Sequence, residues 1–198
     1  MPEQTQQNSQ HDVKPFTITT DRLLLRPFSR DDIPALLPLI GAREVAATTL
    51  RIPHPYSAED AEAFLRHTEE VREKGTGVRC GIFLKHDATL CGGIGLVSNL
   101  EHHHAELGYW LGVPFWGKGY CTEAAQAVVS FGFEVLNLHR IHAGHFSSNP
   151  ASGRVLRKLG MKHEGVLRQH ICKWGDYIDV ETYALLASEY ESLKKRAH

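Results

Sequence analysis

No apolar run in this chain approaches the roughly 20 residues that cross a bilayer, so no membrane-spanning segment is expected. The polar, glutamine-rich stretch Met1–Lys14 also lacks the apolar core of a secretory signal. Cysteine is sparse and scattered. Cys80, Cys91, Cys121 and Cys172 form no CxxC pair and no Cys/His zinc spacing. That argues against a disulfide framework or a zinc ribbon, and the cysteines read as reduced thiols of a cytoplasmic protein. A dominant charge is missing too: the formal net charge is −1, so no global basic field recruits nucleic acid or a membrane surface. There is no internal repeat and no linker after residue 15. The expectation is a disordered tail over 1–15 and a single domain over 16–198, long enough to bury a proper core.

What is present is an alternation of strand and helix signals. Arg22–Phe28 reads as a strand, and Ser29–Asp32 caps a helix with Ile33, Leu36, Leu37 and Ile40 at helical spacing. Ser57–Asp60 opens a second helix with Ala61, Phe64, Leu65 and Val71 on one face. Val78–Lys85 and Thr89–Val97 form a hairpin, and a further strand runs over 105–112. A helix follows Gly119 to about Leu136, then a strand over Arg140–Phe146. Asn149 caps the next helix, Pro150 takes its first position and Gly160 ends it. Strands near 162–172 and 177–186 and a polar amphipathic segment close the chain. The pattern predicts an α+β fold: a twisted mixed, mostly antiparallel sheet with helices on both faces.

The most informative stretch is Ala105–Ala124, a strand, a glycine-rich turn and a helix start. Glycines leading into a helix N-terminus present free N–H groups and the positive end of a dipole, which suits a phosphate. Two common phosphate motifs fail here. Gly112-x-x-x-x-Gly117-Lys118 continues with Gly119 where an NTPase loop needs Ser or Thr for its metal. Gly117-x-Gly119 meets Thr122 where a dinucleotide fingerprint needs a third glycine. A local excess of base fits a cofactor with several phosphates. Between His139 and Gly175 there are seven Lys/Arg and one acid, Glu164. The same excess also suits a solvated basic face.

Gly108-Tyr109-Trp110-Leu111, then Trp116-Gly-Lys-Gly-Tyr-x-Thr-Glu-Ala124, then Asn149-Pro-Ala-Ser152, then Leu159-Gly-Met-x-x-Glu-Gly165 resembles the GNAT acetyltransferases. Their RimJ/RimL-type branch, which acetylates protein N-termini, is the closest match, over about Thr17 to Tyr183. The resemblance implies the GNAT fold, an acetyltransferase domain over 16–198, and acetyl-CoA as cosubstrate with no metal. It places the CoA pyrophosphate on Trp116, Gly117, Lys118, Gly119, Tyr120, Cys121 and Thr122. It places the pantetheine arm along Tyr109, Leu111 and Val113 through main-chain groups, with Asn149 near the pantetheine amides. Ser152 would stand near the sulfur and assist the leaving thiolate. Spacing alone favours reading both as the start of a helix, with Ser152 capping locally; the family pattern favours the functional roles.

The base is less defined. Glu106 lies on the key strand and is the candidate to take the amine proton. Relatives of this branch are proposed to use a second glutamate whose position matches Ile171, so that role does not carry over. Consecutive His102, His103 and His104 point in different directions along a strand or turn and do not converge on one metal ion. The acceptor implied is a protein or peptide N-terminal α-amine. A small-molecule amine, or a non-catalytic acetyl-CoA sensor, are the alternatives, and the oligomeric state is a monomer or homodimer.

Overall fold

The computed structural model describes residues 17–197; the tail expected over 1–15 lies outside them. The strands are β1 (Ile18–Thr19), β2 (Leu23–Arg26), β3 (Gly77–Leu84), β4 (Leu90–Asn99), β5 (His104–Leu111), β6 (Arg140–Phe146), β7 (Lys162–Lys173) and β8 (Asp176–Leu186). The helices are α1 (Ile33–Ile40), α2 (Arg43–Ala47), α3 (Ala58–Glu73), α4 (Tyr120–Glu134), α5 (Pro150–Lys158) and α6 (Ala187–Ala197). The strands form one eight-stranded sheet in the order β1-β2-β3-β4-β5-β6-β8-β7. Every pairing is antiparallel except β5 with β6.

Local chemistry explains the helix starts. Ser57 accepts from the Asp60 N–H while Asp60 accepts from the Ser57 N–H, a closed capping box on α3. Asn149 accepts from the Ser152 N–H ahead of α5, with Pro150 at the first position. Gly160 stands just past α5 at φ +80°, where glycine carries no Cβ penalty.

The sheet is covered on both faces. On one, α1 and α3 bury Leu36, Ile40 and Ala61 against Phe83 and Leu90. On the other, Ala124, Ala125, Val128 and Val129 of α4 and Leu156 of α5 pack on Leu96, Ala105, Leu107, Ile141 and Ala143. Because strand side chains alternate, β5 sends Ala105, Leu107, Tyr109 and Leu111 toward α4 and α5, whereas Trp110 packs in the α1 and α3 layer. Glu106 shares the face of Trp110. That division positions the site.

Candidate active site

The one parallel pairing is short. β5 and β6 are in register only at His104 with Arg140, Ala105 with Ile141 and Glu106 with His142. Beyond that point the strands separate, and the Leu107–Leu111 edge of β5 loses its partner on that side. The cleft between them is about 1090 Å³ in volume. Gly108 and Gly144 line it from facing strands and are both exposed. A Cβ built on Gly108 would meet nothing within 4 Å.

At one end of the cleft stands the N-terminus of α4. Gly117 and Gly119 adopt φ +74° and +82°, the left-handed region. The first α4 amide to find a helical carbonyl is that of Glu123, on Gly119 O at 3.1 Å. The amides of Tyr120, Cys121 and Thr122 precede the ladder and carry the positive end of the dipole. Glu123 would oppose an anion there, but its charge is held elsewhere. It takes the Arg22 Nε at 2.6 Å, the Arg22 backbone N–H at 2.9 Å and the Thr20 hydroxyl at 2.6 Å. Burial alone would raise its pKa, yet these contacts hold it below the usual carboxylate value. Arg22 also donates to Lys118 O at 3.1 Å and lies over the Tyr120 ring. The glycine turn is thus anchored to the start of β2, across a separation of about a hundred residues that sequence reading did not bridge.

At the middle of the cleft Tyr109 and Ser152 meet, hydroxyl to hydroxyl, at 2.7 Å. The hydroxyl of Ser152 therefore turns to β5 and not to its own helix, while Asn149 does serve as the α5 cap. Burial pushes the Tyr109 phenol well above its ordinary value, helped by Cys121 nearby, so it stays protonated. Burial likewise raises the Cys121 thiol to about 12. A thiol so far from ionising is a poor nucleophile at neutral pH.

The expected residues Tyr109, Leu111, Trp116, Gly117, Gly119, Cys121, Thr122, Asn149 and Ser152 all line this cleft, as does Glu106. Val113, Lys118 and Tyr120 lie off its lining: Val113 is in a short 3-10 turn, and Tyr120 packs under Arg22. Trp116 is fixed by its indole N–H on Leu111 O at 2.8 Å. Among the described residues no group of three or more His, Cys, Asp or Glu is placed to hold a metal ion. No described helix is long and apolar enough to cross a membrane.

The far end of the cleft opens on the α1 face of the sheet. Glu106, His142, Glu164, His170, Ile171 and the loop Thr48–Ile52 surround it. Glu106 faces Arg51 at 3.5 Å, and Glu164 takes both terminal nitrogens of Arg140 at 2.6 and 2.5 Å. A bulge in β7 between Leu167 and Ile171, with Gln169 at φ +50°, brings His170 to the wall next to Ile171. Lys173 ties the β7–β8 end to the loop after α2 through Thr49 O at 2.5 Å.

The forked strand pair with a glycine-capped helix at one end forms a cleft that could take a phosphate-bearing ligand. The Acetyltransferase (GNAT) domain family matches residues 22–162, and the chain belongs to that family. It is 33% identical to the uncharacterized N-acetyltransferase YoaA of Bacillus subtilis, over 85% of this chain and 96% of that protein. Spermidine N(1)-acetyltransferase of Escherichia coli is 26% identical over 84% of this chain and 87% of its own length. The [Ribosomal protein uS5]-alanine N-acetyltransferase of Escherichia coli is 28% identical over 59% and 63%. A GNAT-family acetyltransferase structure from Bacillus anthracis superposes with a TM-score of 0.79 at 28% identity, over 88% of this chain and all of that one. The protein is a GNAT N-acetyltransferase, and its cosubstrate is acetyl-CoA.

Proposed function

We propose that the enzyme acetylates a single primary α-amine at a protein or peptide N-terminus, by direct attack of the amine on the thioester. The observation that carries this reading is the charge balance of the acceptor end. Its two carboxylates, Glu106 and Glu164, each face an arginine, and Lys173 adds a cation nearby. Such a wall offers no surplus negative charge for a polyamine with several ammonium groups. It can take one ammonium beside neutral peptide. An α-amine, with a pKa near 8, also loses its proton more readily than a lysine near 10.4.

In this reading the α4 amides and the glycine turn over 116–122 hold the CoA pyrophosphate, and the unpaired edge of β5 runs along the pantetheine arm. Ser152, backed by Tyr109, hydrogen-bonds the leaving thiolate and relays to its sulfur the proton that nitrogen loses as the C–N bond forms, so the hydroxyl pair ends protonated. A free thiol has a pKa of about 8.5, so no strong acid is needed. Glu106 orients the acceptor ammonium. The scattered free cysteines fit a cytoplasmic location. The similarity to spermidine N(1)-acetyltransferase favours a second reading, a small amine acceptor.

The test is CoA release with three acceptors: a peptide with a free N-terminus and no lysine, an N-blocked peptide with one lysine, and spermidine. The first should be used with the highest kcat/KM. A clear preference for spermidine would replace this reading with the second.

A further inference from the structure

The reaction has a proton to dispose of, and the triple histidine segment plays no part in the site described so far. An acceptor enters as an ammonium. One of its protons must leave for solvent before the nitrogen can attack, and a second is lost from nitrogen as the C–N bond forms and the C–S bond breaks. The thiolate sulfur takes up one proton, so each turnover exports one.

Resting on the acceptor reading above, we propose that His142 is the base that takes this exported proton, and that His104 and His102 pass it to solvent. His142 lies on β6 directly opposite Glu106, at the last paired position before the strands separate, and lines the acceptor end of the cleft. Paired residues of parallel strands share a face, so the imidazole and the carboxylate flank the same opening. The His104 ring meets the His142 ring edge-on at 5.3 Å between centroids. His102 stacks on His104 at 6.2 Å and is itself exposed. The middle ring carries a buried Nδ1 with no hydrogen-bond partner. Such an atom is costly unless a proton or a water visits it. Three imidazoles thus run from the cleft to the surface; they meet edge-on and face to face and not through hydrogen bonds, so a proton crosses between them on water.

The groups around His142 set its charge. Glu106 and His104 face it from β5, Arg140 from its own strand and Glu164 from β7. Burial, with help from His104 and Arg140, lowers its pKa, and the two carboxylates partly restore it. The net effect leaves the ring neutral at pH 7 and able to accept. Glu106 stabilises the imidazolium that forms. Ile171, at the position of the relatives' second glutamate, then needs no replacement on β7.

The experiment uses the full chain with an alanine-led peptide and with spermidine as acceptor probes. His142→Gln should lower kcat/KM at pH 7 by about 10–100-fold, within the range of lost base catalysis, and flatten the acid limb of the pH profile. Its acetyl-CoA affinity should stay at the wild-type value. Imidazole added to His142→Gly should restore turnover, which a merely structural histidine would not permit. His104→Gln should lower kcat and leave KM. Wild-type rates in His142→Gln, or no imidazole rescue, overturn the assignment. A second readout needs no turnover. In ¹⁵N NMR, Glu106→Gln should lower the pKa of His142 and His104→Gln should raise it. Independence of the rings overturns the relay. Coupled rings in a protein that acetylates neither probe would instead count against the acceptor reading above and leave the relay standing.

Discussion

Replacing Gly119 tests both the proposed phosphate site and the reason for its glycine. The residue holds φ +82° at the cap of α4, and a Cβ there would stand 3.3 Å from Arg22 Nη2, the movable end of a side chain. Space is therefore available, and the constraint is conformational. An L residue in the left-handed region costs about 1–2 kcal/mol, less for Asn and more for a β-branched side chain. The turn over 117–119 is exposed. It can relax without disturbing the core, so the cost should fall on binding and not on folding. At ~1.4 kcal/mol per tenfold, 1–2 kcal/mol corresponds to roughly 5–30-fold weaker acetyl-CoA binding. The expected order of Kd is Gly119→Asn below Gly119→Ala below Gly119→Val, each with Tm close to wild type. Isothermal calorimetry with acetyl-CoA and a thermal melt measure the two quantities. Equal, severe losses for Asn and Val would show that the phosphate fills the Cβ position, and the conformational reasoning would fail. Unchanged affinity throughout would remove the turn from the cofactor site.

Two further outcomes follow from named contacts. Ser152→Ala and Tyr109→Phe should each lower kcat with acetyl-CoA Kd unchanged, and the double variant should be no worse than Ser152→Ala alone, because the hydroxyl pair acts as a unit; additive losses in stopped-flow turnover would refute the pair. Asp32→Ala should destabilise the fold by about 2–3 kcal/mol in urea, less than the ~3–5 of a fully buried pair, because a third of the Arg26 side chain still meets water. Burial would raise the Asp32 pKa, but Arg26 and Ser29 hold it below its ordinary value. The stabilisation is therefore present in full above the unfolded value near 4 and lost as pH falls through the lower folded one. Acid titration of the wild type minus the variant reads that difference directly, and a gap that widens toward low pH would contradict it.

The order of elements was legible because their ends carry local chemistry. Ser57 with Asp60, Asn149 with Pro150, and Gly119 and Gly160 mark α3, α5, α4 and the α5 terminus within a few residues of chain. The pieces that escaped reading lack such marks. β1 has two residues and α2 has five, capped by Ala42 without a side-chain bond. Both exist because neighbours hold them. The site shows the same split. Residues expected from the glycine turn and the Asn-x-x-Ser pattern do line the cleft. Contacts across the fold were not readable: Tyr109 with Ser152 at a separation of 43 residues, Arg22 with Glu123 at 101. The β7 bulge that admits His170 rests on Gln169 at positive φ, a position ordinarily signalled by glycine or asparagine. One signal was available and is simple. Glu106 and Tyr109 are three apart on a strand, so their side chains must leave on opposite faces.

That parity has a chemical consequence. An acyl transfer to an amine must lower negative charge on sulfur and remove positive charge from nitrogen, and the groups for these tasks would neutralise each other if they touched. The sheet keeps them apart. Tyr109 and Ser152 lie on the α4 and α5 side, where burial keeps the phenol protonated beside the proposed position of the sulfur. Glu106 and His142 lie on the α1 side, flanking the opening where the acceptor would enter. The space between β5 and β6 joins the two faces, and it exists because their pairing stops at Glu106 and His142. Extending the pairing by further residues would close the passage while leaving every proposed catalytic side chain present. The termination of one short parallel ladder is thus as much a part of the proposed chemistry as the proton-transfer groups themselves.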